Sequence, residues 1–163
     1  MFTVLAVTQS ASAWFHFEPI LGYNIGQWED DKVQGAGLGL RVGFNTDHMF
    51  IAADGAQATL VMEDFPDANL SEAGLTIGAK LRGFRVWYGA ILRGIFTYSD
   101  EPMEATATGR GHKIGIGGEL SEKLNLNLEV KVVDYNELET PTQTGIEVKQ
   151  LSTAGFVSFS WVF

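Results

Sequence analysis

The side chains that could support catalysis in this chain are its three histidines, its serines and its carboxylates. A hydrolase needs a nucleophile next to a base that an acid orients. The strand order derived below would bring Ser99, Asp100 and His112 to the same rim, but no motif supports a site there. The chain has no cysteine, which excludes a thiol nucleophile, a thiolate zinc site and a disulfide. We therefore expect a protein that is not an enzyme and has no cofactor.

A glycine-rich segment at 35–44, GAGLGLRVGF, superficially resembles the phosphate-binding turn of a dinucleotide site. Its glycines alternate with apolar residues such as Leu38 and Leu40, which is the pattern of a β-strand. No helical pattern follows the segment, although a dinucleotide site requires a helix there. The segment therefore predicts a strand, with one apolar face and one glycine face.

Carboxylates are concentrated in four segments at 26–34, 59–73, 99–110 and 135–149, within a chain of net charge −9. Because Ca²⁺ and Mg²⁺ prefer oxygen ligands, four of these residues are weak candidates for cation contacts at the protein surface. They are Asp30, Asp31, Glu63 and Asp64. A solvated acidic surface is the favoured alternative, and the spacing does not match an EF-hand. The acidic pI of about 4.7 disfavours a nucleic-acid partner, because phosphate binding needs a basic surface.

Alternation of apolar and polar residues dominates the chain from Trp14 to Phe163 and predicts strands rather than helices. No run of 18 or more apolar residues is present, which excludes a membrane-spanning helix. The predicted strands are 14–25, 35–44, 49–58, 74–82, 85–98, 111–120, 124–134 and 150–163. Short connections alternate with the four acidic segments. This rhythm predicts an all-β fold, an eight-stranded antiparallel up-and-down transmembrane β-barrel.

Each predicted strand has one face without charge, which we expect to point outward into lipid. A lysine or arginine on that face would cost roughly 2–4 kcal/mol near the centre of the bilayer. The opposite face carries sparse charges of both signs, which should form ion pairs inside a narrow barrel, because an unpaired buried charge is costly. They are Glu18, Arg41, Asp54, Lys80, Arg93, Lys113, Glu119, Glu129 and Lys131. The sequence does not show which residues pair, and a gated polar path is the alternative to a purely structural network.

The chain ends VSFSWVF, with Val157, Phe159, Trp161 and Phe163 at alternate positions. With the strand rhythm, this ending resembles the small eight-stranded outer-membrane barrels of Gram-negative bacteria, the OmpA-domain, OmpX and OmpW type. The resemblance covers 14–163. It implies a bacterial outer-membrane location, contact with lipid and lipopolysaccharide, and recognition of those four residues by the outer-membrane assembly machinery. Divalent cations at the acidic segments are a further possible partner.

The N-terminal residues 1–13, MFTVLAVTQSASA, form a short apolar run that ends in a small-x-small pattern. This is typical of the back half of a secretory signal peptide, although the basic start is missing and an ordinary apolar strand end is the alternative. We therefore expect 1–13 to be a signal-peptide remnant and 14–163 to be the barrel.

The resemblance implies a structural or surface-interaction role with acidic outer loops, and three alternatives remain open. They are a narrow channel of the porin type, a soluble lipocalin-like ligand-binding barrel and a lipid A-modifying enzyme. For the enzyme, the deacylase pattern of histidine and serine two residues apart is absent, since Glu18, Phe50 and Ile114 follow the three histidines at that spacing. Aromatic residues near strand ends are expected to form membrane-interface girdles. On the fifth predicted strand, these aromatic residues are Tyr88, Phe96 and Tyr98.

Overall fold

The computed structural model describes residues 13–28, 31–62, 68–100 and 103–163, and it shows one closed antiparallel barrel of eight strands. The strands are β1 (Trp14–Trp28), β2 (Asp31–Asn45), β3 (Met49–Met62), β4 (Ala68–Leu81), β5 (Phe84–Asp100), β6 (Met103–Glu119), β7 (Leu124–Thr140) and β8 (Gln143–Trp161). Each strand pairs with the next, and β8 closes the barrel on β1. The predicted all-β, eight-stranded up-and-down barrel is confirmed.

Within the described ranges, no helix is long and apolar enough to cross a membrane. The strand β1 begins at Trp14. Residues 1–12 lie outside the described part of the chain, so the signal peptide stays a prediction.

The strands are longer than the sequence predicted. Much of the four acidic segments that we expected to be connections is β-strand, so that β4 begins at Ala68 and β8 at Gln143. At the other end of the barrel, the connections at 46–48, 82–83 and 120–123 are as short as expected. We call the half of the barrel next to these short connections the short-turn half, and the opposite half the far half.

In the short-turn half, the faces have the chemistry that the sequence predicted. On β7, Leu126, Leu128 and Val130 point outward and are exposed, whereas Asn127 and Glu129 point inward and are buried. The same division holds on β1 to β4, on β5 as far as Leu92, and on β6 and β8. The barrel wall is therefore apolar on the outside and polar on the inside in this half.

In the far half, the arrangement is reversed: the inward residues are apolar and the outward residues are polar. Further along β7, Val133 and Tyr135 are buried inside the barrel, while Asp134 and Asn136 are exposed outside. The inward residues of several strands form an apolar cluster here, which we call the far cluster. It comprises Trp28, Val33, Ala58, Leu60, Met62, Ala68, Leu70, Ile91, Phe96, Ala107, Val133 and Tyr135. The interior is thus ionic near the short turns and apolar away from them.

Two of the predicted interior charges are not inside the barrel. A register shift in β5 between Ile91 and Gly94 turns both Leu92 and Arg93 outward, so the expectation of an interior Arg93 is wrong. The expectation for Glu119 is also wrong, because this residue ends β6 at the rim, where water can solvate its exposed carboxylate.

The β5 register shift also changes the placement of two aromatic residues. Beyond the shift, Phe96 is buried in the far cluster and Tyr98 packs against it. Neither residue therefore belongs to an outward aromatic girdle, as the sequence had suggested. Tyr88, which precedes the shift, does face outward.

Candidate functional site

The interior of the short-turn half holds a connected set of ion pairs, which we call the interior network. Its members come from β1, β2, β3, β5, β6 and β7, and each is almost fully buried. They are Glu18, Arg41, Asp54, Arg85, Lys113 and Glu129. Because inward positions alternate along each strand and neighbouring strands are staggered, residues far apart in sequence meet on the barrel axis.

Arg41 lies at the centre of the interior network. Its Nη2 donates to Glu129 Oε2 at 2.8 Å, and its guanidinium also lies 3.7 Å from Glu18 Oε2 and 3.7 Å from Asp54 Oδ2. The guanidinium carbon is 4.7 Å from the centre of the Trp87 ring. A planar guanidinium suits this position because it can contact several carboxylates and an aromatic face at once.

Toward the short turns, Arg85 and Glu18 form the lowest ion pair of the network. The Arg85 guanidinium also donates to Asn127 Oδ1 at 2.9 Å and to Ser160 Oγ at 3.0 Å. On the other side of Glu18, His16 Nε2 lies 3.1 Å from its carboxylate. The carboxylate of Glu18 is therefore held from three directions without contact with solvent.

Toward the far half, two further ion pairs complete the polar interior. Lys113 Nζ lies 2.8 Å from Asp54 Oδ2, which also accepts a hydrogen bond from Thr76. Lys131 Nζ donates to Glu72 Oε2 at 2.6 Å. The Glu72–Lys131 pair lies next to the far cluster and forms the boundary between the ionic and apolar interiors.

The buried interior charges balance one another. Four carboxylates, of Glu18, Asp54, Glu72 and Glu129, face four cations, of Arg41, Arg85, Lys113 and Lys131. Each of the eight has a partner of opposite sign within 4 Å. A neutral, fully paired interior offers no excess charge that would attract an ion of one sign.

Aromatic rings fill the interior at the level of the network, and glycines on neighbouring strands make room for them. Trp87 Nε1 donates to Glu129 Oε2 at 2.8 Å. A Cβ atom at Gly115 would lie only 2.2 Å from the Trp87 ring, and one at Gly22 would lie 2.6 Å from the Phe156 ring. Glycine at these two positions therefore leaves room for the Trp87 and Phe156 rings inside the barrel.

The far cluster fills the barrel above the ionic interior. The rings of Trp28 and Phe96 stack with centroids 3.9 Å apart, and the Tyr135 ring lies 4.5 Å from Trp28. A cavity of about 20 Å³ remains between the cluster and the Glu72–Lys131 pair, about enough space for one water molecule. Side chains thus occupy the interior of the barrel at two successive levels.

Of the remaining predicted interior charges, Lys80 is half-buried near the short turns, and its Nζ donates to Asn45 Oδ1 at 2.7 Å.

Three interior groups were missed by sequence reasoning. Arg85 shares the inward parity of Trp87, so the alternation of β5 could have identified it. Glu72 was assigned to a connection, and His16 was considered only as a catalytic base although it shares the inward face with Glu18.

The candidates for cation contacts are mostly outside the described residues. Asp31 begins β2 and is partly exposed, whereas Asp30, Glu63 and Asp64 are not among the described residues. Among the residues that are described, no group of three or more potential ligands is close enough to hold a metal ion.

The three residues considered for catalysis are not brought together by any described contact. The side chains of Ser99 and Asp100 lie outside the described part, and the only hydrogen bond described for the His112 ring joins its Nδ1 to the Tyr88 hydroxyl.

The residues predicted as an assembly signal lie on one face at the end of β8. Val157, Phe159 and Trp161 point outward from the barrel wall. Phe163 follows the strand, and its backbone N–H donates to the Phe17 carbonyl at 3.0 Å. These residues therefore form one exposed apolar row, while their recognition by assembly machinery stays a prediction.

No protein-family model matches the chain, and no curated protein matches it. Solved structures do resemble it. Neisserial surface protein A (NspA) matches with a TM-score of 0.62 and 13% identity over 93% of this chain and 99% of its own. Ail, the attachment invasion locus protein of Yersinia pestis, matches with a TM-score of 0.62 and 9% identity over 91% of this chain and 99% of its own.

A third match is the outer membrane protein OprG from Pseudomonas aeruginosa, with a TM-score of 0.57 and 13% identity. It covers 94% of this chain and 98% of its own. Identities this low establish the fold and not the role. The chain therefore has the fold of the small eight-stranded outer-membrane barrels.

Proposed function

We propose that this chain is an integral barrel of a bacterial outer membrane, with a closed lumen and a structural or surface-interaction role rather than an enzymatic one. The observation that carries the proposal is the apolar band around the outside of the short-turn half. On β2 the band covers 36–44, and on β7 it covers 124–132. These lengths are close to the roughly 9–11 residues with which a tilted strand crosses a bilayer.

The band has the chemistry that lipid requires. Its exposed outward residues include Leu38, Leu128 and Phe159, and no charged side chain faces outward within the band on the described strands. A soluble protein rarely exposes a continuous apolar surface of this extent. A soluble lipocalin-like barrel would also require the apolar face to be inside at this level, where the interior network lies instead.

The far half supports the orientation of the barrel. Its outer face is polar and its interior is apolar, as expected where water replaces lipid around the wall. In the short-turn half the chain turns back close to the edge of the apolar band, whereas in the far half the strands continue well beyond the band before they are connected. Because barrels of this class have short periplasmic turns and longer extracellular segments, we place the far half outside the cell, above lipopolysaccharide. The acidic segments then face the exterior, where divalent cations would reduce their repulsion from anionic lipid.

One feature of the far half favours a surface-interaction role. Among the described residues, the pairing of β1 with β8 ends at Trp28 and Ser152, so that 143–151 of β8 pairs with β7 on one side and with no described residue of β1 on the other. Unpaired strand edges are common places for another polypeptide to add a strand.

The test of this proposal is membrane flotation with a gel-mobility assay. We expect the full chain, expressed in a Gram-negative host, to float with the outer-membrane fraction after alkaline washing. Unheated samples should migrate differently from boiled samples, because a closed barrel resists detergent. Recovery of a washed-off protein whose migration does not depend on heating would contradict the membrane barrel and favour the soluble alternative.

The assembly signal has its own test. We expect replacement of Phe159 and Phe163 by alanine to lower the folded fraction in the outer membrane. The control Arg82→Ala, at an exposed residue in the connection between β4 and β5, should leave it unchanged. A folded fraction equal to that of the unaltered chain would show that the row is not needed for assembly.

A further inference from the structure

Three basic side chains meet on the outside of the barrel just beyond the apolar band. They are Arg93 on β5 and Arg110 and His112 on β6, and all three are exposed. Below them on the same two strands, the paired residues Tyr88 and Ile114 are exposed and belong to the apolar band. In the proposed orientation, this height is the headgroup region of the outer leaflet.

A distortion of the sheet brings these residues together. In the pairing of β5 with β6, Ile91 lies opposite Gly111 and Gly94 lies opposite Gly109. Arg110 is therefore the residue that faces the two-residue bulge containing Arg93. A bulge of this kind re-aims a side chain and is common next to functional sites. Without it, Arg93 would have continued the inward parity of Trp87 and Ile91.

The two arginines are not neutralised by the protein. Neither makes an ion pair with a residue in the described ranges. Asp134 on β7 lies opposite Arg110 in the register, but the two side chains form no ion pair within 4 Å. The donor groups of both guanidiniums are thus available to a ligand.

The histidine is held in place by an aromatic neighbour. The His112 and Tyr88 rings stack with centroids 5.7 Å apart and planes 24° from parallel, and the Tyr88 hydroxyl hydrogen-bonds to His112 Nδ1. These contacts hold the imidazole on the exposed outer wall, and no described residue hydrogen-bonds to its Nε2.

A groove next to the cluster has an amphiphilic lining. Ala90, Leu92 and Val132 form its apolar side, and Arg110, His112 and Asp134 form its polar side. The groove lies where the lipid-facing band ends and the water-exposed far half begins, because Val132 is the last apolar outward residue of β7 and Asp134 is the next outward one. A ligand that matches this groove must carry an anionic group on an apolar body.

We propose that Arg93, Arg110 and His112 form a binding site for the phosphate group of an outer-leaflet lipid, with an acyl chain of that lipid along Ala90, Leu92 and Val132. Arginine presents its donors in a planar fork that matches phosphate oxygens. This inference rests on the proposed membrane location and adds to it a specific lipid contact. Both a phosphorylated glycolipid, such as lipid A, and a glycerophospholipid carry the required group.

Native mass spectrometry of the detergent-purified full chain tests the site. The probes are diphosphorylated lipid A, the same lipid enzymatically dephosphorylated, and phosphatidylglycerol. We expect the double variant Arg93→Gln/Arg110→Gln to weaken binding of phosphorylated lipid by roughly tenfold or more, since hydrogen bonds to charged groups are worth at least that factor. Lys149→Gln, which removes an exposed charge on β8 away from the groove, is the matched control and should change binding less than about twofold.

The outcomes distinguish the possible lipids from one another. They also distinguish a failure of the lipid site from a failure of the proposed membrane location. Loss of lipid A binding alone in the double variant identifies the glycolipid as the ligand, and loss of both lipids identifies phosphate lipids in general. Asp134→Asn should tighten binding of the same lipid, because it removes the opposing charge. Equal binding by the double variant and the unaltered chain would overturn the site. If the double variant still floats with membranes and migrates as a folded barrel, that result leaves the membrane proposal intact.

Discussion

At the scale of single residues, Arg41 decides whether the interior network is complete. It contacts the carboxylates of Glu18, Asp54 and Glu129, which belong to three other strands. Its removal leaves an excess of buried negative charge that water cannot reach. The loss of one member of a buried ion-pair cluster costs far more than the net contribution of the cluster to folding.

We expect Arg41→Met to lower the free energy of unfolding by about 3–5 kcal/mol. The measurement is urea titration of the refolded barrel in detergent micelles, followed by tryptophan fluorescence. Arg82→Met is the control, because Arg82 is exposed in the connection between β4 and β5, and its loss should change stability by less than about 0.5 kcal/mol. Equal urea midpoints for the two variants would show that the interior network does not depend on Arg41 for its contribution to stability.

Interior glycines are a second residue-scale feature with a measurable effect. Gly115→Ala places a Cβ atom against the Trp87 ring, whereas Gly118→Ala, on the same strand, meets no atom within 4 Å. We expect the first variant to lose about 1–3 kcal/mol through overpacking and the second to be neutral or slightly stabilised. Differential scanning calorimetry of both refolded variants provides the comparison. A neutral Gly115→Ala would show that Trp87 has room to move.

At the scale of the strand, the change of face chemistry explains what the sequence could and could not predict. The strand segments of the short-turn half are apolar outside and polar inside. Their positions in the sequence, and the direction of their two faces, were predicted. On β7 this rule ends between Lys131 and Val133, where the inward residues become apolar and the outward ones become polar. A search for one continuous apolar face stops there, so strand residues were predicted as connections.

The β5 bulge could not have been predicted from its local sequence. The segment ILRGIF alternates no differently from the rest of the strand, because a bulge depends on the register with β4 and β6. The errors for Arg93 and Phe96 both follow from it. Sequence reasoning based on a period of two is reliable only while the pairing is regular.

The two-part strand makes a direct prediction on β7. Leu128→Arg places a charge on the outer face within the apolar band, and Asn136→Arg places one on the same face of the same strand in the far half. We expect the first to cost about 2–4 kcal/mol, as for arginine near the bilayer midplane, and the second less than about 0.5 kcal/mol. Reversible urea unfolding in lipid vesicles measures both. Similar free-energy costs for the two variants would show that the boundary of the lipid does not lie between these two positions.

At the scale of the whole molecule, closure of the barrel creates contacts that the sequence cannot specify. An ionic interior was predictable because each strand carried its charges on one face. The partners were not, because they depend on the stagger of the closed barrel. Arg41 and Glu129 are 88 residues apart, and Lys131 pairs with Glu72, which had been predicted to lie in a connection. The apolar far cluster was not predicted, because most of its members lie in segments that were predicted to be connections.

We expect two barriers in series to prevent conduction through this barrel. The interior network closes the short-turn half, and the far cluster, with Trp28 stacked on Phe96, closes the far half. We expect planar-bilayer recordings to be silent for the unaltered chain and for Glu129→Ala, because the far cluster still excludes water and ions. Phe96→Ala alone should also be silent, since the paired charges below it remain in place.

Only the combined variant, Glu129→Ala with Phe96→Ala, should show a small conductance. Heat-dependent gel migration of each variant verifies that the barrel is folded, so silence cannot be attributed to a collapsed protein. Steady conductance in Glu129→Ala alone would show that the far cluster is not a barrier and would revive the narrow-channel alternative. Silence in all three folded variants would instead show that the remaining ion pairs and rings of the lumen close it without these two side chains.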